Sequence, residues 1–358
     1  TLAHHGLRVG EVGELAARYA VGPGVIERVA AELARTSRST GAAFAEPGAP
    51  SADPADPASL TARAATALAA LAGGAPGTTG TDAGPLLEAG LRRHLESRLG
   101  ASANRVTRLA SWSQVILPAD IQDGLTELIA RIKHRRIVFD AWGFDRVAGA
   151  SRGVIALFQG GPGTGKTLVA SAIANELGMD LYRVDLPRVM SKWMGATEQN
   201  LARLFDAAED GNTIILFEEA DSLFAKRTEV ESEVDYLLHR LDAFEGVAIL
   251  TASSGSSIDG AFQRRLSLRL TFPFPDEGTR EKLWRSHLPA AVPTAGAFDL
   301  AEIARRYQLS GGYIRNAALR AAFLAAEEHA PLTQAHLERA IKAELREIGK
   351  AAARGPAE

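Results

Sequence analysis

The chain has 358 residues, a length that suits two or three domains, and its 46% hydrophobic and 23% charged content allows a sizeable core. A formal net charge of −3 offers no general attraction to nucleic acid or to an anionic membrane surface. Without cysteine the chain forms no disulfide, thiolate zinc site or cysteine nucleophile, which suits a reducing cytoplasm, and it has no apolar run long enough to span a membrane and no leader-like segment.

The chain starts at Thr1 rather than Met, as a processed chain or a fragment would. Residues 1–107 are expected to form a helical N-terminal region. Val12, Leu15, Ala16 and Tyr19, then Val25, Ile26, Val29, Ala30 and Leu33, recur at helical spacing. From about residue 36 to 84 the composition shifts to Ala, Pro and Gly, with Pro47, Pro50, Pro54 and Pro57 close together, which reads as linker. Leu60–Leu71 has the composition of an Ala-rich helix, and helical spacing resumes over Leu86–Leu99. From Trp112 to Gly349 short β-branched runs alternate with helical stretches, the pattern of an α/β domain with a parallel sheet.

Within that stretch, the apolar run Val154–Gln159 leads into Gly160-Gly-Pro-Gly-Thr-Gly-Lys-Thr167, and a helical stretch Leu168–Leu177 follows. This is the phosphate-binding pattern GxxxxGK[ST] between a strand and a helix. Gly161, Pro162, Gly163, Thr164, Gly165, Lys166, Thr167 and Leu168 would line the nucleotide, and the backbone N–H groups among them (Pro162 has none) can close around phosphate oxygens, helped by the positive end of the helix. Lys166 would neutralise β- and γ-phosphate charge, and the Thr167 hydroxyl would hold Mg²⁺. Downstream, Thr213–Phe217 runs into Glu218-Glu-Ala-Asp221, four apolar residues and then two acids. Glu218 would hold the metal and Glu219 would polarise the attacking water. Asp is usual at the first of these positions, and one extra methylene displaces the carboxylate under a metal with strict octahedral geometry.

These segments resemble the AAA+ ATPases, and further segments narrow the likeness. Ser191-Lys-Trp-Met-Gly-Ala-Thr-Glu198 resembles the pore loop of the AAA subgroup, Asp259–Arg265 its second region of homology, and Gly311–Asn316 its sensor 2 turn. Ala141–Phe144 and Phe272–Asp276 resemble single-module ATPases of phage-tail-like contractile injection gene clusters.

The resemblance implies a five-stranded parallel αβα core over 108–276, a helical lid over 277–349 and a tail at 350–358. The implied core strands are Leu181–Asp185, Thr213–Phe217, Val247–Thr251, Leu268–Phe272 and Val154–Gln159. It implies ATP and Mg²⁺ as ligands, with Ile116 and Leu117 against adenine. Lys192, Trp193 and Met194 would grip a polypeptide in a central channel, where a flat ring beside a flexible thioether packs against nearly any side chain. Arg264 and Arg265 would act as arginine fingers on a neighbouring subunit's nucleotide, which makes a homo-oligomeric ring, of six by family habit, part of the expectation. Arg315 would contact nucleotide from the lid, although a plain helix-surface arginine reads equally well there. Ser253 takes the sensor 1 position, where the family commonly has Asn, and Ala196 stands where members often carry an acid. With Glu218, these departures lead us to expect normal ATP binding and slow hydrolysis.

Residues 11–100 carry a faint echo of the lid. Glu14–Ile26 parallels Glu302–Ile314, and Leu86–Arg93 parallels Leu332–Arg339. Either a remnant lid or the chance likeness of Ala/Leu/Arg-rich helices accounts for it. Taken together, the expectation is a cytoplasmic, ring-forming, protein-remodelling ATPase, an unfoldase type, acting on protein or peptide, with a contractile injection assembly as a further partner. The alternative is a scaffold in which ATP binding holds an assembly and hydrolysis is dispensable. A DNA-directed role would want a basic hairpin or an aromatic–basic groove, whereas the candidate pore loop is aromatic and apolar.

Overall fold

A computed structural model describes residues 103–144, 146, 152–186, 202, 204–206, 208–209, 212–223, 231–253 and 260–354. The expectations for residues 1–102, and for Lys192, Trp193, Met194 and Ala196, lie outside the described residues.

The elements run β1 (Asn104–Arg105), α1 (Ala119–Arg136), β2 (Val154–Gly160), α2 (Lys166–Leu177), β3 (Asp180–Asp185), β4 (Thr213–Glu218), α3 (Glu231–Ala243), β5 (Val247–Ala252), α4 (Gly260–Gln263), β6 (Leu268–Phe272), α5 (Glu277–His287), α6 (Leu300–Arg306), α7 (Gly311–Glu327) and α8 (Gln334–Arg354). The sheet order is β1-β3-β4-β5-β2-β6. β2 pairs in parallel with β5, Val154 opposite Val247, and with β6, Ala156 opposite Leu268. The five strands anticipated from the sequence are present. A sixth, β1, pairs antiparallel with β3, Asn104 opposite Arg183; two residues are too few to carry a period. The result is the α/β class expected from the sequence, a mostly parallel sheet with helices.

The described residues fall into two compact units. The first contains β1, β3 from Tyr182, β4 as far as Ile215, and α3. Its packing centres on Phe205 and Phe244, whose rings meet edge to face at 5.0 Å. The Arg240 guanidinium lies 5.6 Å over the Phe205 ring and also bonds Asp206 at 2.6 Å. Burial pushes the Glu209 carboxyl upward, against the bond it accepts from Glu245 N–H.

The second unit contains β2, α2, the end of β4, β5, β6 and the C-terminal helices. Every residue of β2 is buried, as a strand covered on both faces must be, so it reads as a continuous apolar run rather than an alternating one. α1 buries Ile121, Leu125, Leu128 and Ile132, spaced four, three and four apart along one face. The segment entering α1 is tied to α2: Ala110 N–H donates to Ser171 Oγ at 2.8 Å, and Asn175 Nδ2 donates back to Ala110 O at 3.0 Å.

Helices α5 to α8 bury their own cluster around Trp284, Ile303, Ile314, Leu337 and Ile341. Each such side chain removed from water contributes about 1.5–3 kcal/mol. Their starts are legible as caps. Asp276 accepts from Thr279 N–H at 2.7 Å; the Thr279 hydroxyl, and then this N–H, hold its carboxyl below the usual range, and Asp299 accepts from Glu302 N–H at 2.8 Å. The buried Arg280 satisfies its guanidinium on backbone, Nε to Ala304 O at 2.8 Å and Nη1 to Pro275 O at 2.6 Å. Among the described residues no helix is long and apolar enough to cross a membrane.

Candidate active site

The site is built where β2, β4 and β5 end. Gln159, the last side chain before the glycine loop, is buried and accepts from Arg269 Nε at 2.5 Å, which anchors β2 to β6 at the loop's root. Gly165 then caps α2 with φ +101°, left-handed backbone that a residue with a Cβ rarely adopts. That turn lays the loop over the helix N-terminus, where unsatisfied N–H groups gather. Thr164 Oγ1 donates to Gly161 O at 2.8 Å and closes the loop on itself.

Lys166 lies within this curl. Its Nζ donates to Gly160 O at 2.6 Å and Gly161 O at 2.9 Å. Burial pushes its pKa down, opposed by the nearby carboxylates of Asp221 and then Glu218. An ammonium set so is partly desolvated, and an incoming phosphate offers it the anionic partner that desolvation makes valuable.

Beside it, Thr167 Oγ1 donates to Glu218 Oε1 at 2.8 Å. The longer glutamate therefore still closes on the threonine. A hydroxyl and a carboxylate in contact are oxygen ligands of the kind Mg²⁺ takes alongside phosphate oxygens and water. Among the described residues no group of three or more His, Cys, Asp or Glu could hold a metal alone. A cation here would lean on the phosphate it arrives with. Thr167 and Glu218 fit that role.

Glu219 follows, exposed and at φ +56°. A non-glycine residue in left-handed backbone is costly, of order 1–3 kcal/mol, and such outliers cluster where the fold places a side chain for use. The turn sends Glu219 away from the strand face while Ala220, next in line, is fully buried.

Ser253 is placed differently from expectation. Its hydroxyl donates to Asp221 Oδ1 at 2.5 Å, and its N–H reaches Oδ1 at 2.9 Å and Oδ2 at 3.2 Å. The hydroxyl at the sensor 1 position, a candidate nucleotide contact, is thus bonded to a carboxylate. Asp221 itself was missed as a site residue. The signal was present, an acid two residues beyond Glu219, but nothing local in the sequence pairs it with a residue 32 positions away.

The remaining candidates are less gathered. Arg264 and Arg265 are exposed in the turn after α4, with Arg265 N–H donating to Phe262 O at 3.0 Å. An exposed position fits a residue that would act outside its own chain. Arg315 lies in the first turn of α7, exposed, with Nη2 3.4 Å from Asn316 Oδ1. Burial, and then the Arg315 charge, lower the pKa of His287. Ile116 and Leu117 are half-buried just before α1, where Gln122 Nε2 donates to Leu117 O at 2.9 Å.

Residues 156–274 match the family described as ATPase family associated with various cellular activities (AAA). The chain is 34% identical over 170 residues to the cell division cycle protein 48 homolog of Archaeoglobus fulgidus, covering 44% of this chain and 23% of that protein. It is 34% identical over 229 residues to katanin p60 ATPase-containing subunit A1 of Strongylocentrotus purpuratus, covering 58% of this chain and 43% of the relative. Against cell division protein C of Sulfolobus acidocaldarius the identity is 30% over 190 residues, 48% of each. The chain thus spans from just under a quarter to just under a half of the length of these relatives. With the glycine loop after β2 and the acidic end of β4 both inside the matched stretch, the chain carries an AAA domain over residues 156–274.

Proposed function

We propose that this protein is an ATP-hydrolysing machine that remodels protein or peptide substrates, working as a homo-oligomeric ring. The observation that carries the proposal is the Thr167–Glu218 bond, which joins the phosphate loop and the acidic strand end in one site. In this reading Lys166 leaves the Gly160 and Gly161 carbonyls for the β- and γ-phosphates. Thr167 and Glu218 hold Mg²⁺, which supplies charge neutralisation at the transferring phosphoryl group. Glu219 orients and polarises the attacking water. Arg264 and Arg265 reach a neighbouring protomer's nucleotide, where an arginine finger is worth about 10³–10⁵ in rate in other phosphoryl-transfer enzymes.

Remodelling rests on Lys192, Trp193 and Met194 as a substrate-gripping loop. In the full chain, Trp193→Ala is expected to abolish ATP-dependent unfolding of a model protein substrate while ATP uptake stays within about twofold of wild type. Unfolding that persists in the variant would remove the pore assignment. The relatives named above carry no contractile-injection name, and the proposal does not extend to that partner.

Two observations favour slow turnover, and with it the assembly-scaffold alternative. Glu218 occupies a position usually held by aspartate, and the Ser253 hydroxyl is taken by Asp221. Glu218→Asp is expected to raise steady-state phosphate release about tenfold, the rate equivalent of roughly 1.4 kcal/mol. An unchanged or lower rate would assign the slow step elsewhere.

A further inference from the structure

The first turn of α7 touches the phosphate loop through one backbone donor. Ser310 has the backbone of an N-cap, φ −74° and ψ 163°, and its carbonyl accepts from Ile314 N–H at 2.9 Å. A serine in this position ordinarily uses Oγ as well, accepting from the N–H two or three residues on. Here the side chain makes no cap bond. The Gly312 N–H goes instead to Gly163 O at 3.0 Å.

The hydroxyl is left idle in a closed place. Ser310 is only 1% exposed, and its Oγ has no hydrogen-bond partner. It is aimed at the loop: a Cβ on Gly163 would collide with it and would lie 3.3 Å from Gly312 N. Gly163 itself stands at φ +74°, so neither the space nor the backbone admits another residue. Buried hydroxyls without partners are uncommon and call for a reason.

Two acceptors thus compete for one donor, Gly163 O from the phosphate loop and Oγ from Ser310. Which one wins depends on the loop. Lys166 holds the loop's curl through Gly160 O and Gly161 O, and its move to a phosphate frees both carbonyls and loosens the peptide that carries Gly163 O. We infer that Ser310 is a positioning residue for nucleotide: it takes over the Gly312 N–H when Gly163 O turns away, keeping α7 capped in both arrangements. The phosphate loop and α7 then exchange a single hydrogen bond when nucleotide arrives. This rests on the reading of the glycine loop as the nucleotide site.

The test compares full-length wild type, Ser310→Ala and Ser310→Thr in three measurements: thermal unfolding without nucleotide, calorimetric titration with ADP and Mg²⁺, and amide exchange over residues 311–314. In the alanine variant Tm without ADP stays the same or rises, since no bond is lost and an idle buried hydroxyl is removed. Its ADP affinity falls about two- to thirty-fold, the range of a lost serine cap, and ADP lowers protection over 311–314. The threonine variant, which keeps a hydroxyl, binds ADP more tightly than alanine does. Equal ADP affinity in wild type and Ser310→Ala overturns the proposal, as does a fall in ADP-free Tm without loss of affinity, the mark of an ordinary cap. A wild-type chain that takes up no ADP overturns the nucleotide-site reading itself.

Discussion

Replacing Lys166 with alanine is expected to weaken uptake of ATP with Mg²⁺ by at least about a hundredfold. The Lys166 ammonium is the cation at the centre of the loop, partly desolvated, with its pKa lowered by that burial. A charge-assisted hydrogen bond is worth roughly 1.5–3 kcal/mol, so losing two such bonds to phosphate, about 3 kcal/mol or more, amounts to a hundredfold or more. The truncation also strips the Gly160 and Gly161 carbonyls of their donor, so the loop loses its internal order together with its charge. Binding is read by titration of the intact chain, with thermal unfolding to establish that the variant is folded. A folded Lys166→Ala chain that binds ATP as wild type does would place the nucleotide elsewhere and take the proposed function with it.

The second large effect is on chemistry alone. Glu219→Gln keeps the shape of the side chain and removes its basicity, so ATP affinity is expected to stay within a few-fold while hydrolysis drops about 10²–10⁴-fold, the usual worth of a positioned general base. The backbone supports this choice over Glu218. Glu218 is bonded to Thr167, which suits the proposed metal position, whereas Glu219 stands at φ +56° just past the end of β4. Strain of that kind persists only where surrounding packing imposes it, and the buried residues Phe217 and Ala220 on either side supply that constraint. The same variant, mixed with ATP and imaged, should trap assembled rings. Undiminished hydrolysis in Glu219→Gln would transfer the base to another group, and monomers under those conditions would count against the trans arginines.

Much of the fold is legible in the amino-acid sequence. Strand β2 announces itself by six apolar or neutral residues before the glycines, and β4 by its acidic end. These are local signals. Each depends on a handful of consecutive residues whose period or capping chemistry restricts the backbone directly. The glycine loop is legible for the same reason: the left-handed turn at Gly165 and the N–H groups that follow lie within eight consecutive residues.

What stayed hidden was set by partners distant in the chain. A sequence places Ser253 after β5 but does not tell its hydroxyl to choose Asp221 over a phosphate; the sheet decides that, by bringing two strand ends side by side. Likewise Ser310 reads as an ordinary cap, and only the docking of α7 on Gly163 leaves its Oγ unused. Local backbone preference, periodicity and motif spacing are properties of neighbours along the chain, and these the sequence determined by itself. Competition among hydrogen-bond acceptors is settled by which groups packing brings within 3 Å of a donor, and that only the tertiary structure decided.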